Sequence, residues 1–139
     1  MTRGHRTIEH TADIGLEAWG DSLADMMAGL AEGLAELVCP PRHVQPLRRV
    51  QLRVQAEDPE ALAVDFLSAV LGRVQVDRFV VHHVEARQDG PCGLEAVLVG
   101  EPYDPSRHEL EQEIKAVTYH QVRAVCEGGR WLGRVFLDI

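Results

Sequence analysis

The chain is short of cysteine, aromatic residues and lysine, and it has no long apolar run. Its three cysteines, Cys39, Cys92 and Cys126, are widely spaced and form no C-x-x-C pair, which argues against a disulfide framework and a structural zinc site. Cys126 lies in an apolar stretch and is expected to be a small buried hydrophobe. No apolar segment approaches the length needed to cross a bilayer. Met1-Thr2-Arg3-Gly4-His5 runs into strand-like sequence without the apolar core of a signal peptide, so a cytoplasmic protein with no membrane association is expected. Of the 14 basic residues 13 are arginine, and Lys115 is the only lysine. The formal net charge is −8, and the densest basic spot, Arg48-Arg49, is two residues long. A sequence-independent nucleic-acid binder needs a basic footprint to displace counterions, so no direct nucleic-acid binding is expected. An acidic surface suits a metal ion or a basic protein partner.

What is present is ordinary globular sequence. At 139 residues, with 45% hydrophobic and 26% charged content, residues 1–139 are expected to form one domain. Arg6 to Glu9 and Ile14 to Gly20 read as strands around the polar break His10-Thr11-Ala12-Asp13. Leu23, Met27, Leu30, Leu34 and Leu37 recur at helical spacing after a cap at Asp21 or Ser22, until Cys39-Pro40-Pro41 stops the helix. Val50, Leu52 and Val54 alternate with polar residues as in a half-buried strand. Asp58-Pro59 opens a second helix, with Phe66, Leu67, Val70, Leu71 and Val74 on its apolar face and Asp65 on a solvated one. Two hairpins follow, turning at Asp89-Gly90-Pro91 and at Glu127-Gly128-Gly129, with a short helical turn after Pro105. The fold class is therefore α+β, a two-layer domain with two main helices packed on a largely antiparallel β-sheet.

The usual catalytic templates are missing. Gly128-Gly129 opens no helix and carries no Gly-Lys-Ser ending, and there is no Gly-x-Ser-x-Gly elbow. His82-His83 on one strand should point to opposite faces and not chelate together. Three segments carry more. His10-Thr11-Ala12-Asp13 places polar groups at a break between strands. The terminus Leu137-Asp138-Ile139 ends flush with a strand; if Ile139 is anchored, its α-carboxylate lies beside that of Asp138. Adjacent anions without a local cation favour a divalent metal, and hard oxygens favour calcium or magnesium over zinc. Finally, Lys115, Tyr119 and His120 fall within six residues of strand-like sequence, with Lys115, Val117 and Tyr119 on one face and Ala116, Thr118 and His120 on the other.

Together these segments resemble the archease family. The resemblance rests on His10-Thr11-Ala12-Asp13-Ile14-Gly15, Trp19-Gly20-Asp21-Ser22-Leu23, Gly100-Glu101-Pro102-Tyr103-Asp104, Ile114-Lys115-Ala116-Val117-Thr118-Tyr119-His120 and Leu137-Asp138-Ile139, in that order along the chain. It implies a non-catalytic protein cofactor of an RtcB-type RNA ligase in tRNA splicing and RNA repair. Such a protein promotes guanylylation of the ligase's active-site histidine, multiple turnover and broader nucleotide use. It also implies a divalent metal site, calcium first and magnesium or manganese next, carried onto Asp13, Asp138 and Ile139, with Lys115, His10 and His120 as further functional contacts. The stretch Leu110-Glu111-Gln112-Glu113 lacks the Gly-Thr that many family members have there. That departure puts in question a tight turn and partner contacts from Arg107 and His108. The competing readings are a small metal-dependent hydrolase of phosphate esters and a chaperone-like interaction module.

Overall fold

Alternation and turn chemistry place the strands where the sequence suggests. The computed structural model describes residues 3–9 and 13–139. β1 (Gly4–Glu9) and β2 (Asp13–Gly20) pair antiparallel. Ser22 then caps α1 (Leu23–Val38), its hydroxyl accepting from the Asp25 N–H at 3.0 Å, and the helix ends before Pro40-Pro41. β3 (Arg48–Gln55) leads to α2 (Pro59–Gln75), whose Asp58 cap accepts from the Ala61 N–H at 2.7 Å. The two expected hairpins follow as β4 (Phe79–Gln88) with β5 (Gly93–Pro102), and β6 (Ala116–Glu127) with β7 (Arg130–Asp138).

The α+β class with two helices on antiparallel sheet is borne out, and the strands divide into two sheets, ordered β1-β2-β7-β6 and β3-β5-β4. The division follows from the last strand. β7 returns to pair with β2 as well as β6, so an early strand and the last strand of the described chain are neighbours inside the larger sheet. Both helices touch strands of both sheets. α1 is buried nearly all round by Met26, Met27, Leu30 and Leu34, and small residues admit close approach: a Cβ at Gly29 would lie 3.2 Å from that of Ala18. One apolar cluster joins these helices to Leu16, Leu98, Val135 and Leu137. Among the described residues no helix is long and apolar enough to cross a membrane.

Two local expectations are corrected. Cys126 is exposed, because it lies next to the Gly128-Gly129 turn on edge strand β6, with β7 as its only strand neighbour. The His82 and His83 rings do not diverge: the register slips between Val81 and His83, and their Nδ1 atoms stand 2.8 Å apart. An irregularity of this kind breaks the strict two-residue alternation of a strand.

Candidate functional site

The alternation of β2 and β7 fixes which side chains share a face. Leu16, Ala18, Val135 and Leu137 are buried in the core, so Asp13, Gly15 and Glu17 lie on the opposite, outer face of the larger sheet with Phe136 and Asp138. In register, Asp13 stands opposite Asp138. Directly opposed residues have Cβ atoms about 5 Å apart, and like charges in such a pair repel. β6 completes the end of the sheet: Ala116 stands opposite Asp138, and the Lys115 N–H donates to the Asp138 carbonyl at 2.7 Å. The end of β7 is thus held on both sides. Asp138 is exposed and Ile139 half-buried.

Asp13 Oδ1 is buried and has no hydrogen-bond partner. A buried carboxylate oxygen left unpaired costs free energy unless a cation or water meets it. Among the described residues no group of three His, Cys, Asp or Glu side chains is arranged to hold a metal. A cation here would therefore rely on the two aspartates and on main-chain oxygens.

The other predicted residues fall as follows. His10, with Thr11 and Ala12, lies outside the described residues. Lys115 reaches the site through its backbone, and its ammonium, on an exposed residue, makes no ion pair among the described residues. His120 comes to the outer face, its ring edge-on to Phe136 at 5.8 Å. Its N–H donates to Thr118 Oγ1 at 3.3 Å, while that hydroxyl donates to the Phe136 carbonyl at 3.1 Å. Phe136 lies across Gly15, where an added Cβ would come within 3.0 Å of both the Phe136 ring and the Ile8 Cβ. Gly15 therefore lets an aromatic ring pack two residues from Asp13. Tyr119 departs to the other side, its hydroxyl 3.4 Å from Asp65 on α2.

A second polar cluster gathers Glu101, Arg107 and His108. Glu101 is buried and accepts from the Gln45 N–H at 2.7 Å, from Arg107, and from His108 Nε2 at 3.0 Å. His108 is buried too, and its Nδ1 accepts from the Asp104 N–H at 2.9 Å. The Arg107 guanidinium, with burial opposing it and the Gln45 and His108 hydrogen bonds adding, holds the Glu101 carboxyl down at about 2. Arg107 and His108 thus face inward on Glu101. The segment after them forms no tight turn: the Glu111 N–H donates to the Val38 carbonyl at 2.9 Å, and Gln75 donates to the Ile114 carbonyl. The readable signal was an acidic residue between Gly100 and Pro102, after the apolar run Ala96-Val97-Leu98-Val99, with an Arg-His pair six and seven residues on. Burial pushes the Cys39 thiol up, and the nearby Glu111 and Glu101 charges add to it, so that thiol is a poor nucleophile.

Comparison with known proteins bears on the whole chain. The sequence profile of the Archease protein family matches residues 5–139. Protein archease of Methanopyrus kandleri is 32% identical over 135 residues, covering 95% of this chain and 96% of its own. That of Thermococcus gammatolerans is 33% identical over 135 residues, covering 94% and 95%. Among solved structures, the solution structure of protein 1598 of Methanobacterium thermoautotrophicum superposes with a TM-score of 0.79 at 25% identity, over 98% of this chain and 99% of that one. A crystal structure from Thermotoga maritima, described as an archease and possible chaperone, has a TM-score of 0.64 at 20% identity over 96% of each chain. The latter speaks to the fold alone.

Proposed function

The chain belongs to the archease family, and on that premise we propose that it is a non-catalytic activator of an RtcB-type RNA ligase in tRNA splicing and RNA repair. In this reading it promotes guanylylation of the ligase's active-site histidine, multiple turnover and broader nucleotide use, acting in the cytoplasm without membrane association. The observation that carries it is the registered pair Asp13 and Asp138, with a buried, unpartnered Asp13 oxygen, at the end of the larger sheet's two central strands. The donor set fits a hard divalent cation, calcium first and magnesium or manganese next. Asp13, Asp138 and an oxygen of Ile139 would hold it. When bound, such an ion supplies concentrated positive charge that offsets carboxylate repulsion and attracts phosphate oxygens.

The chain's own residues do the positioning. The Lys115 N–H fixes the Asp138 carbonyl, and so the direction in which β7 ends. Phe136, packed across Gly15, holds β2 and β7 in the register that opposes the aspartates. No general base is needed, since the chemistry belongs to the ligase. The test is guanylylation of the ligase with GTP, with and without this protein. We expect stimulation that falls at least tenfold for Asp13→Ala and for Asp138→Ala, with thermal melting unchanged or raised as the repulsion is relieved. Stimulation by both variants equal to that of the natural protein would remove the aspartate pair from the mechanism, whereas no stimulation by the natural protein would sink the reading. It would favour instead the chaperone-like role suggested by the description of the Thermotoga maritima protein.

A further inference from the structure

Four positions along β2 and β7 from the acidic tip, about 13 Å, the same outer face turns basic. A row crosses all four strands in register: Arg6 opposite Glu17, Glu17 opposite Arg134, and Arg134 opposite Arg123. Arg6 pairs with Glu17, and Arg123 reaches Glu127 at 3.4 Å. Arg134 donates only to the Gln121 carbonyl, at 3.1 Å, and makes no ion pair among the described residues. Two guanidiniums directly opposite each other repel, and of these two only Arg123 has a carboxylate partner, on a chain whose net charge is −8.

Beside this pair lies an aromatic surface. Trp19 lies across Gly4, where an added Cβ would come within 2.9 Å of the indole nitrogen, and the exposed Arg130 guanidinium lies over the ring, 5.5 Å from its centroid, so a base stacking there must displace Arg130. Arg6, Glu17, Trp19, Arg123, Arg130 and Arg134 line a hollow of about 380 Å³, in the range of small-ligand sites. Planar guanidiniums match phosphate oxygens two at a time, and a flat indole on a sheet face is a stacking platform for a base. An acidic peptide would use the arginines but not the indole.

We propose that this hollow binds a nucleoside phosphate, free or within a single-stranded RNA, with Arg123 and Arg134 on the phosphate and Trp19 beneath the base. The inference does not depend on the ligase reading. The missing basic run does not bear on it, because these arginines come from strands distant in sequence and meet only in the sheet.

The chain has two tryptophans, so Trp131→Phe leaves Trp19 as the sole indole reporter. Its fluorescence is titrated with GMP, guanosine, a ten-nucleotide oligoadenylate and polyglutamate at several salt concentrations. Equilibrium dialysis of labelled GMP against the natural protein gives the same comparison without the tryptophan change. Saturable, salt-sensitive quenching by GMP is expected, weakened at least tenfold by Arg123→Ala with Arg134→Ala, and guanosine and polyglutamate should be silent. Quenching by the oligoadenylate as well assigns the site to a strand; quenching by GMP alone assigns it to a free nucleotide. The double variant should melt at the same or a higher temperature, since it removes a repulsive pair. No saturable binding, binding unchanged in the double variant, or polyglutamate binding as tightly as GMP would overturn the proposal, the last assigning the face to an acidic protein.

Discussion

Glu101 is a buried carboxylate whose three neighbours all donate to it, and its chemistry sets a pH dependence. Its carboxyl is held at about 2 chiefly by Arg107, against roughly 4.3 in an unfolded chain. A depressed folded value means that the stabilisation is fully present above the unfolded value. It is then lost as pH falls through the interval from about 4.3 to about 2. Glu101→Gln leaves Arg107 and His108 without their charged partner, so a loss of about 3 kcal/mol at neutral pH is expected. Thermal melts from pH 7 to pH 2 check it: the variant should melt lower at pH 7 and show a flatter acid limb, and an unchanged acid limb would refute the role. This cluster also marks what single residues disclosed beforehand. The caps at Ser22 and Asp58 were legible because they act on the next three residues. Glu101 was not, because its partners come from Gln45 at one loop and from a turn beyond β5.

At the scale of elements, the helices and both hairpins were legible, since periodicity and turn residues are local signals. The division of seven strands into two sheets was not, because it is decided by which distant strand β7 chooses as a second neighbour. The irregularities were equally hidden: an irregular register at His82-His83 and another between Thr118 and Arg123 each break the alternation on which strand faces are read. The opposed aspartates sit between these cases. Each was visible as a local signal, whereas their register depends on β2 pairing with β7. That pairing has a sensitive point at Gly15. A valine there would drive its side chain into the Phe136 ring and Ile8, each already within 3.0 Å of a bare Cβ. Overpacking of this kind costs about 1–3 kcal/mol. Gly15→Val should therefore lower the denaturation midpoint in urea and also weaken ligase stimulation, by displacing strands that carry Asp13 and Asp138.

For the molecule as a whole, the outer face of the larger sheet is polarised, with arginines toward one end and opposed carboxylates at the other, on a chain of net charge −8. The acidic end joins strands from both ends of the described chain, so anything that relieves its repulsion acts on the closure of the entire sheet. A cation bound only by the folded state adds stability as RT ln(1 + [L]/Kd), about 2.7 kcal/mol at a hundredfold excess over Kd. For a domain of this size that corresponds to a rise of roughly 8–10 °C in melting temperature. Calcium titrated into metal-free protein should therefore raise the melting temperature with concentration, and a chelator should reverse it. Asp13→Ala and Asp138→Ala should each melt at the metal-free temperature or above and respond little to calcium. Residues added after Ile139 should reduce the response without altering the metal-free melt, if a terminal oxygen contributes. A calcium response that persists in both aspartate variants would place the ion elsewhere, and no response in the natural protein would remove metal from the account of this tip.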